Sequence, residues 1–204
     1  MRKALAIIGI LLCLVALPFS PMLVELMSAT TKTAKNVREG DVIFQTSQSE
    51  QSPLIQIATR SKISHCGIMV IKNGKPYVLE TLNTLKLTPL DKFVARSKGG
   101  RYWLKRSDKE NIKIKYDHYL GKPYDVAFRM DNNIYYCSEL VYDIYKKQLG
   151  IELCEPKKID DYLILCTEKL PRIKKEMQRR GIKKEQYAVA PVDVFRSDKL
   201  KFVK

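Results

Sequence analysis

A cysteine, a histidine and a glutamate in this chain stand where they could act as a nucleophile, its base and the group that orients the base. Cys137 opens the run Cys137-Ser138-Glu139-Leu140-Val141, which reads as the start of a helix extending to Leu149 and closed by Gly150. A helix N-terminus presents free backbone N–H groups and the positive end of the helix dipole. Both favour a thiolate, and the same N–H groups could stabilise an oxyanion forming on a substrate carbonyl. A plainer reading competes. Cys137, Leu140, Val141 and Ile144 fall at i, i+3, i+4 and i+7, the core face of the helix, where a cysteine is commonly a small buried hydrophobe. Helical spacing alone leaves both open.

The histidine and the glutamate are linked by a hairpin. His65 to Lys72 and Pro76 to Leu82 are strand-like runs separated by Asn73-Gly74, a dipeptide whose members both tolerate positive φ and which marks a two-residue hairpin loop. Lys72 then faces Lys75, Gly67 lies opposite Glu80, and His65 and Glu80 become diagonal neighbours on one face. Such pairs lie roughly 7–8 Å apart at the backbone, within reach of long side chains. Gly67 leaves the space between them free of a side chain. Met69, Ile71, Val78 and Leu82 share that face and mark it as buried. A carboxylate there is costly unless paired, and His65 is the nearest partner. The hairpin by itself allows either a base with its orienting residue or a satisfied polar pair in a core. Cys66, turned to the opposite face by strand alternation, reads as packing. His118 sits among charged residues and reads as surface, as does the Asp143/Lys147 pair.

The remaining elements follow from local signals. Lys32 to Glu39 is a polar linker; Gly40-Asp41 opens a strand over Val42 to Thr46; Ser52-Pro53 starts a helix reaching about Arg60. A short helix near Leu90 to Arg96 precedes a strand over Arg101 to Arg106. Asn111 to Leu120 reads as a helix ending at Gly121. A very basic helix runs from about Thr167 to Arg180, before Gly181. Mixed helices and neighbouring antiparallel strands give an α+β class, an antiparallel sheet or small barrel packed against helices.

Residues 1–31 read separately. Arg2 and Lys3 precede an unbroken apolar run from Ala4 to Leu17, and Ser28-Ala29 offers a cleavage point. That pattern fits a secretory signal peptide, with an uncleaved membrane anchor as the alternative. The expected setting is therefore exported, periplasmic or in the cell envelope, with residues 32–204 as one domain. The 204 residues carry a net charge of +15, a field suited to an anionic wall polymer or membrane surface. Export and the lack of a nucleic-acid motif argue against nucleic acid. Four of the five cysteines lie beyond residue 31, too scattered for a disulfide scaffold, although Cys154 and Cys166 could pair. No cysteine or histidine pair has zinc-ligand spacing; no metal or cofactor is expected.

Four short motifs occur in a fixed order: Gly40-Asp41-Val42-Ile43-Phe44, Ser64-His65-Cys66-Gly67-Ile68, Gly121-Lys122-Pro123-Tyr124-Asp125 and Tyr136-Cys137-Ser138-Glu139-Leu140. Together they resemble the permuted papain-like amidases of the YaeF and YiiX type, within the wider NlpC-like superfamily of cysteine peptidases, over about residues 38 to 200. In most papain-like enzymes the cysteine precedes the histidine; here the order is reversed. The resemblance implies a permuted papain-like fold with Cys137 as nucleophile, His65 as base and Glu80 as the orienting residue. It implies Tyr124 and Asp125 as substrate-binding residues lining the site. The expected activity is hydrolysis of an amide, in wall peptide or a related acyl-amide, through a thioester acyl-enzyme. Two other classes stay open: a lipid acyl hydrolase or acyltransferase, which would need an acyl-chain groove by the site, and a non-catalytic binding module using the same cleft.

Overall fold

A computed structural model describes residues 36–164 and 170–203. The reading of residues 1–31 as a signal or anchor lies outside the described residues, and so does Cys166 with the pairing considered for it. Within them, no helix is long and apolar enough to cross a membrane.

The described residues form eight strands and six α-helices in chain order: β1 Val42–Ser47, α1 Ser52–Thr59, β2 His65–Lys72, β3 Lys75–Thr81, β4 Leu85–Pro89, α2 Leu90–Ala95, β5 Ser97–Arg106, α3 Cys137–Ile144, β6 Lys157–Lys158, α4 Ile159–Leu163, α5 Leu170–Arg180, β7 Tyr187–Ala188, α6 Pro191–Phe195 and β8 Lys201–Phe202. Six strands form one open antiparallel sheet in the order β4-β3-β2-β1-β5-β8; β6 and β7 pair apart from it. This is the α+β class, and the sheet is open rather than a barrel. The hairpin forms with Lys72 facing Lys75 and Ile68 facing Leu79. Asn73 and Gly74 take φ of 51° and 72°, the positive values that such a turn requires.

Both faces of the sheet are covered, where the alternation read from sequence marked only one as buried. Ile43, Met69, Val78, Tyr102 and Leu104 pack under Leu90 and Phe93 of α2. Val42, Phe44, Cys66, Ile68, Val70 and Leu79 face α3 and α6. Each fully buried Val, Leu, Ile or Phe contributes about 1.5–3 kcal/mol, so neither layer is dispensable. A third apolar cluster joins Leu163 of α4 to Ile173 and Met177 of α5, against Leu54 and Ile57 of α1.

Two expectations change. Residues 111–120 are not a helix: Ile112 and Ile114 are buried while Asn111, Lys113 and Lys115 are exposed, a two-residue period that lays an extended segment over the core. Two of its backbone N–H groups are satisfied from elsewhere, Ile114 N donating to Glu39 Oε1 and Lys115 N to Gln148 Oε1. The helix starting at Cys137 is α-helical only to Ile144, then widens into a π-helical turn over Tyr145–Leu149 before Gly150 at φ 70°.

The Gly40-Asp41 motif is a structural clamp. Asp41 receives Arg106 through two N–H···O bonds of 2.6 and 2.7 Å. The Tyr145 hydroxyl donates to Gly40 O at 2.7 Å, tying the end of the α3 helix to the head of β1. A Cβ at Gly40 would lie 2.7 Å from Ile112.

Candidate active site

His65 is the first residue of β2, at the sheet end where β1 carries a register shift between Gln45 and Ser47. The preceding Ser64 fixes this end: its Oγ accepts from Ser47 N and shares a hydrogen bond with Ser52 Oγ of α1. Glu80 comes up the adjacent strand, diagonal to His65 and fully buried. Its Oε2 lies 2.6 Å from His65 Nε2, and its Oε1 accepts from the Arg96 guanidinium. Gly67 between them is close-packed rather than open: an added Cβ would lie 2.4 Å from Val78 Cγ1 and 3.3 Å from Glu80 Cβ. The imidazole stacks on Phe93, centroids 5.6 Å apart. Since Glu80 occupies Nε2, Nδ1 is the nitrogen that serves the Cys137 thiol.

Cys137 enters from the other side of the sheet as the first residue of α3. Tyr136 in front of it is anchored: its hydroxyl accepts from Val189 N at 2.9 Å, while the Ser138 hydroxyl donates to Val189 O at 2.6 Å. Glu139, three residues into the helix, accepts from Tyr136 N at 3.4 Å and Asp131 N at 3.3 Å. Burial, with Asp125 nearby, pushes its carboxyl up to about 8.

The electrostatics form one connected system. Cys137 is held well below the usual thiol range, first by the Cys66 thiol donating to its sulfur and then by the His65 imidazolium, against a burial cost. His65 is pushed up to about 10: burial opposes its charge, but the Cys137 thiolate and the Glu80 carboxylate outweigh burial. Glu80 is held below its ordinary value by His65 and then Arg96, again against burial. Cys66 moves the other way, raised by burial and by the thiolate it serves. The arrangement is a thiolate–imidazolium pair with a second thiol on one flank and a carboxylate on the other.

Cys66 is therefore more than filling. Alternation does turn it away from His65, but the face it reaches is the one α3 covers. Only the placement of that helix could have revealed this. Arg96 is the second group missed; nothing local in sequence connects the end of α2 to Glu80. Gln45 is the third. It pairs with His65 in register and is fully buried, and neither atom of its side-chain amide has a hydrogen-bond partner among the described residues.

Tyr124 and Asp125 separate. Tyr124 lines a cavity together with Cys137, and its hydroxyl accepts from Gln51 Nε2 at 3.3 Å. Burial and the neighbouring thiolate push the phenol upward, so it keeps its proton. Asp125 is buried and not part of that lining. Its carboxylate accepts from Ala127 N, Arg129 N and Asn132 Nδ2 at 2.8–2.9 Å. The loop it ties places Phe128 at φ 52°, a costly conformation for a bulky residue. The Phe128 ring stands edge-on to Tyr124 and Tyr136 in the cavity wall. His118 is exposed, and Asp143 pairs with Lys147 at 2.5 Å while accepting from Tyr119.

Known proteins share this geometry's sequence and fold. The family described as "Permuted papain-like amidase enzyme, YaeF/YiiX, C92 family" matches residues 36–204. YiiX of Escherichia coli (strain K12), described as an uncharacterized protein, is 33% identical over 186 residues, covering 88% of this chain and 92% of that one. The crystal structure of YiiX from Escherichia coli O157:H7, described as a metalloprotein, is 34% identical, with a TM-score of 0.71 over 82% of this chain and 96% of that one.

Proposed function

The chain belongs to the permuted papain-like amidase family of YaeF and YiiX, and from that premise we propose that it hydrolyses an amide through a thioester on Cys137. Membership of the family makes a cysteine-type amidase or peptidase the class. The observation that carries the finer reading is the contact chain Cys137–His65–Glu80, with His65 Nε2 at 2.6 Å from the carboxylate and the imidazole hydrogen-bonded to the Cys137 side chain.

The Cys137 thiolate attacks the amide carbonyl. The Cys137 backbone N–H at the start of α3, with the protonated Tyr124 hydroxyl beside it, receives the developing oxyanion. As the C–N bond breaks, the His65 imidazolium gives its proton to the leaving amine, and Glu80 keeps the ring oriented throughout. Water then loses a proton to neutral His65 and attacks the thioester, releasing the carboxylic acid and restoring the ion pair. The E. coli O157:H7 relative is described as a metalloprotein. Among the described residues of this chain no group of three or more His, Cys, Asp or Glu is placed to hold a metal, and His65 Nε2 and both Glu80 oxygens are already engaged. The donor set does not fit such an ion.

The proposed setting is outside the cytoplasm, on the strength of the apolar segment within residues 1–31. The reaction is tested by mixing full-length protein with activated amides and measuring intact mass. A mass increase equal to the acyl group, absent in Cys137→Ala and His65→Ala, is expected. No acyl adduct and no turnover on any amide would leave a binding module.

A further inference from the structure

Two thiols meet at the head of α3, and they differ in access. Cys137 lines the cavity between α1, α4 and α5, a space of about 130 Å³, while Cys66 is absent from that lining. A water needs only about 10–15 Å³ of such space, so a molecule of two oxygen atoms fits beside the Cys137 sulfur. Cys66 stands behind it, on the face of β2 that α3 covers, fully buried and in the same apolar cluster. The pairing of β2 with β3 stops at Ile68, so β3 does not take up the Cys66 N–H. That N–H and the Cys66 thiol both point to the Cys137 sulfur. Both partners are held where they meet: Cys66 opposite Phe44 in the sheet, and Cys137 by the bonds of Tyr136 and Ser138 to Val189. Cys154, the third cysteine among the described residues, is half-buried and does not line the cavity.

We propose that Cys137 and Cys66 form an oxidative modification site, in which a small hydroperoxide oxidises the Cys137 sulfur and Cys66 closes it into an intramolecular disulfide. The Cys137 thiolate attacks hydrogen peroxide; the O–O bond breaks and an S–O bond forms, giving a sulfenic acid. The hydroxide that leaves takes the proton of the His65 imidazolium and departs as water. The Cys66 sulfur then attacks the sulfenic sulfur. The S–S bond forms as the S–O bond breaks, and the leaving hydroxide carries off the Cys66 proton as a second water. Each sulfur gives up one electron, and the peroxide takes both. A sulfenic acid with no neighbouring thiol goes on to the sulfinic acid, which thiols do not reverse; Cys66, already in contact, intercepts it first. While the disulfide stands, the nucleophile is out of use and His65 has no thiolate partner. In the proposed setting outside the cytoplasm, no glutathione or thioredoxin pool keeps thiols reduced, so the link persists until a thiol reductant opens it.

Full-length protein, reduced and then freed of reductant, is treated with one equivalent of hydrogen peroxide, and its cysteines are mapped by non-reducing peptide mass spectrometry. The expected product is a Cys66–Cys137 cross-link lighter by two hydrogens, with iodoacetamide labelling of Cys137 lost and then restored by dithiothreitol. Cys154→Ala should give the same product. In Cys66→Ala, and in Cys66→Val, which keeps the space filled, excess peroxide should carry Cys137 to the sulfinic acid, and dithiothreitol should no longer restore labelling. A wild-type Cys137 that stays a thiol, stops at a sulfur acid, or links to any other cysteine would overturn the proposal. The link forms whether or not an amide is hydrolysed. A Cys66–Cys137 disulfide in a protein that gives no acyl adduct would therefore uphold this site and remove the hydrolase reading.

Discussion

Replacing Glu80 by glutamine separates the charge of the orienting group from its shape. Glu80 is fully buried and holds His65 Nε2 at 2.6 Å. A hydrogen bond to a charged group contributes about 1.5–3 kcal/mol and a neutral one about 0.5–1.5 kcal/mol, so the substitution removes about 1–1.5 kcal/mol from the imidazolium. At 1.36 kcal/mol per pKa unit this is a downward shift of about one unit. His65 is raised to about 10 in the folded protein, and its titration should move to near 9. The sign follows from linkage: a histidine raised on folding gives stability that is fully present below about 6.5 and is lost as the pH climbs through the folded value. Glu80→Gln should therefore cost about 1–1.5 kcal/mol of stability below pH 6.5, a difference that shrinks to nothing as the pH climbs through about 9 to 10 and the ring becomes neutral in both proteins. The chain has two histidines, so nitrogen-15 spectra resolve His65 directly, with exposed His118 as an internal reference signal. Arg96, left without its carboxylate, has a side chain 36% exposed and can turn to water, which keeps the variant folded. A His65 midpoint that does not move would refute the reasoning and leave Glu80 as a partner of Arg96 alone.

Substitutions at three further positions probe the same site. Cys66→Ala removes the thiol that donates to the Cys137 sulfur, so the pH midpoint for iodoacetamide labelling of Cys137 should rise; Cys66→Ser, which keeps a donor, should restore most of it, and identical profiles in all three proteins would make Cys66 inert. Gly67→Ala places a methyl 2.4 Å from Val78 Cγ1, an overpacking that costs about 1–3 kcal/mol; urea unfolding should show it, and a midpoint within error of wild type would mean that the hairpin yields easily. Gln45→Met exchanges a buried, unpartnered amide for an apolar chain of similar size and should stabilise by about 1 kcal/mol, or 2–4 °C in Tm for a domain of this size. A fall in Cys137 acylation in the same variant would show that the amide is kept for work at the site.

Local sequence was enough for the parts that depend on neighbours in the chain. Asn73-Gly74 sets the turn, the turn sets the register, and the register brings His65 beside Glu80, because side-chain direction in a paired strand alternates without help from the rest of the fold. The start of a helix at Cys137 was legible for the same reason. Its end was not, since the π-helical turn at Tyr145–Leu149 answers to packing against the body of the protein. Residues 111–120 carry turn and charge signals that suit a helix, yet two isoleucines two apart find the core, and burial outweighs propensity.

Tertiary structure alone decided the rest. His65 and Cys137 lie on opposite sides of the sheet plane, 72 positions apart. They meet only because α3 lies across the end of β2, and that same placement gives Cys66 its contact with the nucleophile. The cavity beside Cys137 is the extreme case. Its walls come from α1, α4 and α5, none of them adjacent in sequence to Cys137, and no one of these segments contains a motif for it. Apolar residues on three helices look alike whether they close on one another or leave a cavity between them, because the difference lies in the distance between the helices and not in their composition.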